Sequence, residues 1–162
     1  MNGEISEFWA MVTSDDIQTK ESGLQKWKEF NGNNPQYFEW ASEKLPKGFA
    51  KDYKKINPHD FQILQIQFDG HLSRGAVLKL FVYDFHEDYG KDIFYEIVYR
   101  GVKGHAMTVC NTEYRLTWGY DIFDICDNGL WIHRILCADG ASIEVTFKSI
   151  SIKKQKSSSI IS

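Results

Sequence analysis

Side chains able to hold a cation or move a proton are densest between residues 84 and 92. Four carboxylates and one imidazole stand there, on Asp84, His86, Glu87, Asp88 and Asp92. Carboxylate oxygens and imidazole nitrogens bind divalent metal ions. The spacing lacks the alternate ligands, central glycine and closing glutamate of an EF-hand, and the stretch separates two predicted strands. A solvated loop or a partner contact is therefore favoured, and we predict neither a metal site nor a cofactor.

Histidine pairs would be a second source of chemistry, because two imidazoles in one pocket can act as acid and base. The five histidines are well separated, at positions 59, 71, 86, 105 and 133. His133 shares a strand face with Trp131 and Ile135, which favours a packed, hydrogen-bonded side chain. His59-Asp60 follows a proline and favours a turn. We predict no catalytic residues, and a small hydrolase or nuclease using a histidine pair stays open as the alternative.

Other catalytic patterns are missing from the sequence. Gly101-Val-Lys-Gly104 lacks the remaining glycines of a phosphate-binding loop and is typical of a turn. The three cysteines, at 110, 126 and 137, have no CxxC spacing, so neither a disulfide framework nor a zinc site is predicted. Cys110 has His105 nearby but no positive setting that would activate a thiol. We interpret all three cysteines as small buried hydrophobic residues.

The segment from Trp118 to Asp127 combines rings with acids and contains no basic residue. Aromatic anchors surrounded by carboxylates suit the capture of a basic protein surface. The equally open alternative is a core strand with solvated ends. The predicted partner-binding residues come from this segment and from the acidic loop: Asp84, Glu87, Asp88, Trp118, Tyr120, Asp121, Asp124 and Asp127.

Charge favours a basic protein partner over nucleic acid. The formal net charge is −3, and residues 61–152 hold 12 acidic and 8 basic side chains. Direct nucleic-acid binding needs a positive surface, which this balance does not provide. The sequence also shows no signal peptide and no apolar run able to span a bilayer. We therefore predict a cytoplasmic protein with no membrane contact.

The first 58 residues show helical patterns. Apolar spacing predicts a helix over 4–12, and Thr13-Ser-Asp-Asp16 is typical of the start of a second helix. The second helix is predicted to run to about Phe30, with Gly23 weakening or splitting it. Residues 31–34 are predicted to form a loop.

Further helical signals follow this loop. Asn34-Pro35 is typical of a helix start, and Pro46 with Gly48 predicts its end. The stretch Lys51–Pro58 is predicted to be a polar connector to the strands.

From residue 61 onward, apolar and polar residues alternate with a period of two, as in half-buried strands. Predicted strands cover residues 61–69, 76–85, 93–100, more weakly 105–112, then 130–137, 141–148 and 149–152. Residues 114–126 are ambiguous between a strand and a helical turn. Asp139-Gly140 joins two alternating runs and predicts a tight hairpin. Connections this short favour antiparallel pairing.

These patterns together predict an α+β fold. Amino-terminal helices should pack on one face of a mainly antiparallel sheet of about six strands. We predict a single domain over residues 1–152, with a helical part at 1–58 and a sheet at 59–152. Residues 153–162 are predicted to form a flexible tail.

The chain resembles small bacterial proteins, several of which are immunity proteins of toxin–immunity pairs. The likeness rests on the helical front piece, His59-Asp60, the Trp118–Phe123 segment and the closing hairpin from His133 to Phe147. These immunity proteins include the contact-dependent growth inhibition kind. The resemblance implies a cytosolic, non-enzymatic protein. It also implies that the protein blocks the active site of a cognate toxin domain, often a nuclease. A mildly acidic chain leaves a shape-driven interface equally open, and a module enclosing a small ligand is a third interpretation.

Overall fold

The structure is a computed structural model that describes residues 2–33, 43–84, 92–108, 116–138 and 140–155. Contacts divide the chain into two compact units, Met1–Lys44 and Leu45–Ser162. The division falls before a third helix rather than at the predicted change from helices to strands near residue 58. The single domain predicted over residues 1–152 stays a prediction.

The described part of the first unit includes two helices, α1 (Asn2–Val12) and α2 (Ile17–Asn33). The start of α2 is capped by Asp16, whose Oδ1 accepts the backbone N–H of Thr19 at 3.4 Å. The two helices pack through rings, with Phe8 against Phe30 at 5.7 Å between centroids. The predicted loop at residues 31–34 is wrong in its first three residues, because α2 continues through them.

Gly23 does not split α2, because its missing side chain lets the two helices approach closely. A Cβ atom built at Gly23 would lie 2.6 Å from Cβ of Met11 and 2.8 Å from the backbone nitrogen of Val12. The main chain of α1 is one of the two neighbours and cannot rotate away. This glycine is therefore a packing residue of the helix pair.

We expect Gly23→Ala to lower the free energy of unfolding by about 1–3 kcal/mol, the usual cost of overpacking. Helix propensity alone would favour alanine by about 1 kcal/mol, so the expected sign is reversed. Gly48→Ala is the matched control, since nothing lies within 4 Å of a Cβ at Gly48. Thermal unfolding followed by circular dichroism measures both. Stabilisation by both substitutions would contradict the packing role.

The third helix, α3 (Lys47–Ile56), belongs to the second unit. It corrects one expectation, because Lys51–Pro58 is largely helical rather than a connector. Residues 43 and 44 are helical and their helix stops before Pro46, as predicted, whereas Gly48 lies within α3. Phe49, Ala50 and Tyr53 form the buried side of α3. The rings of Phe49 and Tyr53 both meet Phe123 edge-on. The predicted helix starting at Asn34-Pro35 begins outside the described residues.

In the part of the chain that the structure describes, eight strands form two antiparallel sheets of four. Their bounds are β1 (Gln62–Asp69), β2 (Ala76–Asp84), β3 (Ile93–Val102), β4 (Gly104–Thr108), β5 (Trp118–Ile125), β6 (Trp131–Cys137), β7 (Ser142–Phe147) and β8 (Ser149–Gln155). The first sheet has the order β1-β2-β3-β8, and the second has the order β4-β7-β6-β5. The α+β class, the antiparallel pairing and the closing hairpin β6–β7 are confirmed. The strands form two sheets, rather than the single sheet predicted.

Two further details differ from the sequence patterns. The ambiguous segment is a strand, β5, paired with β6 along its length. Lys153–Gln155 is part of β8 and pairs with β3, so the predicted tail begins too early. The remaining tail residues lie outside the described part of the chain. Among the described residues, no helix is long and apolar enough to span a membrane.

The two sheets are joined where β1 begins. The N–H of Trp118 donates to the carbonyl of Phe61 at 2.8 Å, and the N–H of Asp60 donates to the carbonyl of Trp118 at 2.8 Å. His59-Asp60 forms the predicted turn before β1. Inner faces of both sheets contribute the largest buried side chains, including Trp118, Tyr99 and Phe147. Close to this junction, α3, β3, β5 and β6 each contribute a side chain to a polar network centred on Asp121 and His133.

Candidate functional site

A buried polar network lies between the two sheets and α3. Asp121 on β5 is its centre: its carboxylate meets Nε2 of His133 at 2.8 Å, Nε1 of Trp118 at 3.3 Å, and the hydroxyl of Tyr53. Nδ1 of His133 lies 2.7 Å from the hydroxyl of Tyr99 on β3. The ring of Phe123, the cross-strand partner of His133, stacks on it at 3.9 Å between centroids. Both ring nitrogens of His133 are therefore occupied.

The partners determine how the protons are arranged. The Asp121 carboxylate accepts hydrogen bonds, so Nε2 of His133 carries the proton and Nδ1 accepts the Tyr99 hydroxyl proton. Burial lowers the pKa of His133, while the hydrogen bond and charge of Asp121 oppose that shift. Burial, and next the charge of Asp121, raises the pKa of Tyr53 and Tyr99 well above their ordinary value. The network is thus built around a neutral imidazole and neutral phenols.

We expect stability to fall as the pH drops below about 6.5, the ordinary pKa of histidine. Below this pH His133 binds a proton in the unfolded chain but stays neutral in the folded protein, because burial lowers its folded-state pKa. The contribution of His133 to the free energy of unfolding is complete above its pKa in the unfolded chain. It is lost as the pH falls toward its pKa in the folded protein. One such proton gives a slope of up to about 1.4 kcal/mol per pH unit.

Urea unfolding between pH 7.5 and 5.0 measures this slope. His71→Gln is the control, because His71 is exposed before a short 3-10 turn. That variant should keep the slope of the parent protein. An unfolding free energy that stays flat across this pH range would contradict the neutral-imidazole arrangement.

A second polar group lies on the other face of β6. Arg134 donates from Nε to Glu144 at 2.8 Å and from Nη1 to Asp124 at 3.4 Å. The side chain of Asp124 is 5% exposed and that of Arg134 is 8% exposed. Asp124 also accepts the backbone N–H of Ile125 at 2.8 Å. Two of these three charges are thus enclosed and hold neighbouring strands together.

Burial revises the predicted partner-binding residues. The interpretation of Trp118 as a surface anchor is wrong, because its side chain is 0% exposed. Asp124 is enclosed with Arg134, and Asp121 is held within the buried network. Tyr120 is 36% exposed and meets the ring of His59 edge-on at 5.6 Å.

The other predicted residues lie elsewhere. Asp127 is exposed in the turn between β5 and β6. Asp84 is half-buried at the end of β2. Glu87 and Asp88 lie outside the described residues.

Among the described residues, His59, His105 and His133 each contact a different aromatic ring. His105 packs against Phe68 at 4.8 Å between ring centroids, whereas His59 contacts Tyr120 and pairs with Asp60 at 2.9 Å. The described residues contain no cluster of three or more metal-ligand side chains. Cys137 is buried and Cys126 is half-buried, and burial raises the pKa of the Cys126 thiol. Cys110 lies outside this part of the chain.

An open pocket lies on the outer face of the first sheet, at its β1 edge. Its volume is about 540 Å³, and it is lined by Gln62, Ile63, Leu64, Tyr83, Asp92 and Phe94. Tyr83 and Phe94 are cross-strand partners whose rings stack at 4.9 Å. The Tyr83 hydroxyl donates to Oδ1 of Asp92 at 2.7 Å. The pairing register shifts between Ile63 and Gln65, so a bulge places Leu64 beside the rings.

Sequence reasoning missed this pocket, although part of its signal was readable. Alternation in β2 assigns Tyr83 to the face opposite Leu80, and Phe94 alternates in the same way in β3. The register that sets one ring against the other depends on tertiary pairing. The acidic stretch predicted as a partner contact lies between β2 and β3, and one of its residues, Asp92, lines the pocket.

No model of a protein family matches this chain, and no curated protein and no solved structure matches it either.

Proposed function

We propose that the protein is a non-enzymatic binding protein that captures and neutralises a basic protein domain, as an immunity protein neutralises its toxin. One contrast carries the proposal. The His133 network is enclosed by rings, whereas Tyr83, Phe94 and Asp92 line an open pocket on a sheet face. Enclosed polar groups stabilise a fold, and exposed rings beside a carboxylate are typical of contact anchors.

Charge supports a basic partner. Residues 61–152 carry four more acidic than basic side chains, and one of the acids, Asp92, lines the pocket. Opposite charge on the partner speeds association and orients the encounter. The finer proposal rests on the resemblance: a cytoplasmic immunity protein of the contact-dependent growth inhibition kind that blocks the active site of a toxin domain, possibly a nuclease.

The pocket also favours a second candidate, a module that binds a small ligand. Its volume of about 540 Å³ lies within the range of ligand sites, and rings with a few polar groups are typical linings. A hydrolase or nuclease with a histidine pair has less support, because His133 is enclosed and its two ring nitrogens meet Asp121 and Tyr99.

The test is capture with the tagged full-length chain from its native host, at low and physiological salt. We expect a 1:1 complex with one basic domain, weaker at the higher salt concentration. That domain should arrest growth when expressed alone and should not when this protein is expressed with it. Capture of a domain that is harmless alone would contradict neutralisation, and a bound small molecule in place of a protein would favour the second candidate.

Charge reversal locates the surface. We expect Asp84→Lys and Asp92→Lys to weaken the complex about tenfold or more, since each places a like charge against a basic partner. Glu87→Lys and Asp88→Lys test the acidic loop directly. Asp69→Lys is the matched control, at the other end of β1 and exposed. Unchanged affinity in all four loop and pocket variants would remove the acidic surface from the proposal.

A further inference from the structure

We propose that the pocket at the β1 edge receives one arginine side chain of the partner, which anchors the complex. This inference rests on the proposed protein-binding function. Three parts of the pocket fit three parts of arginine. Leu64 offers an aliphatic wall, Tyr83 and Phe94 offer ring surfaces, and Asp92 offers a carboxylate. Arginine has an apolar stem, a planar cationic group and five N–H donors.

The rings suit a planar cation. Tyr83 and Phe94 are stacked with an interplanar angle of 29°, and both are half-buried, so part of the ring surface remains exposed. A guanidinium group stacks on such surfaces through cation–π attraction and flat contact, whereas an ammonium group does so less well. Arginine is also enriched among the residues that dominate protein interfaces. Geometry therefore favours arginine over lysine.

Asp92 supplies the charge that makes the pocket selective. Its side chain is exposed, and its Oδ1 atom accepts the Tyr83 hydroxyl proton at 2.7 Å. That hydrogen bond orients the carboxylate beside the ring, and an ionised carboxylate has room for further donors. A guanidinium bound here would donate charge-assisted hydrogen bonds to Asp92 while lying against the rings. A neutral group of the same shape would lose both attractions.

By contrast, the neighbouring positions on the same sheet face are already occupied by pairs within the chain. Glu96 meets Lys79 at 3.4 Å and accepts from Gln155 at 2.7 Å. Arg100 donates to Ser151 at 2.8 Å. The pocket lies beyond these pairs, at the Asp92 end of the face, where a carboxylate and two half-buried rings line it.

The experiment uses two capped tripeptides, Gly-Arg-Gly and Gly-citrulline-Gly, titrated into the full-length chain and followed by NMR. Citrulline keeps the shape of arginine and removes its charge. We expect the arginine peptide to shift resonances of Leu64, Tyr83, Asp92 and Phe94 in a saturable way, with the citrulline peptide at least about fivefold weaker. Equal binding of both peptides, or shifts confined to another surface, would overturn the inference.

Variants separate direct contact from long-range charge. Asp92→Asn and Phe94→Leu should each weaken binding of the arginine peptide about fivefold. Asp69→Asn removes the same charge from an exposed site at the far end of β1, and Phe81→Leu alters a neighbouring ring of the same face; neither should weaken binding. Amide spectra confirm that each variant is folded. Equal losses in Asp92→Asn and Asp69→Asn would also overturn the inference.

This test can fail without the proposed function failing. A captured toxic domain that binds Asp92→Asn and Phe94→Leu as tightly as the parent would overturn the arginine site and leave neutralisation intact. Saturable peptide binding at the pocket, with no toxic domain captured, would support the site and remove the immunity function.

Discussion

Replacing Asp121 by alanine is expected to lower the free energy of unfolding by about 3 kcal/mol or more. Its carboxylate accepts from Tyr53, Trp118 and His133, and the substitution leaves three donors without their shared acceptor. A buried donor without a partner costs about 1–3 kcal/mol. The side chain is 18% exposed, so water entering at its edge will recover part of this cost.

Urea unfolding measures the loss, and Asp127→Ala is the matched control because Asp127 is exposed in a turn. The control should change the unfolding free energy by no more than about 0.5 kcal/mol. Asp121→Asn should fall between the two, since the amide keeps one acceptor and presents donors to the network. Equal stability of the two alanine variants would contradict the central role of Asp121.

A double substitution tests whether the residues act as one network. In Tyr53→Phe/Asp121→Ala the hydroxyl that would lose its acceptor is already gone, so the combined loss should be smaller than the sum of the two single losses. Near-ultraviolet circular dichroism reports whether the packing of the aromatic side chains survives. Strict additivity would show that Tyr53 and Asp121 contribute independently.

Arg134→Leu is expected to cost about 3–5 kcal/mol, because it leaves the enclosed carboxylate of Asp124 without this cation. Glu144 should contribute less to the loss, since its side chain is 30% exposed and can be solvated. The second substitution in Arg134→Leu/Asp124→Leu removes the uncompensated charge. The double variant should therefore recover much of the stability lost in Arg134→Leu.

Lys79→Leu is the matched control for Arg134→Leu. The Lys79–Glu96 pair has the same N–O distance of 3.4 Å, but Lys79 is 34% exposed. An ion pair of this exposure contributes about 0–1 kcal/mol. Chemical unfolding of the three variants and the parent protein gives the comparison. A loss in Arg134→Leu no larger than that in Lys79→Leu would show that burial adds nothing to this pair.

The local elements of this protein were largely determined by its sequence. Period-two alternation located seven strands with boundaries within a few residues, and the Asp-Gly dipeptide located the hairpin β6–β7. Such patterns are readable because each strand must bury one face. The packed, hydrogen-bonded state of His133 was predicted for the same reason, from apolar neighbours two residues away.

Tertiary structure alone decided which side chains meet. Trp118 and Asp124 have the composition of a contact surface, yet both are buried, Trp118 against His133 and Asp124 against Arg134. The division into two sheets, the partners of Asp121, and the pairing of Tyr83 with Phe94 all depend on strand register. Register depends on the turn between two strands and on which of their faces are buried together, so alternation within one strand does not determine it.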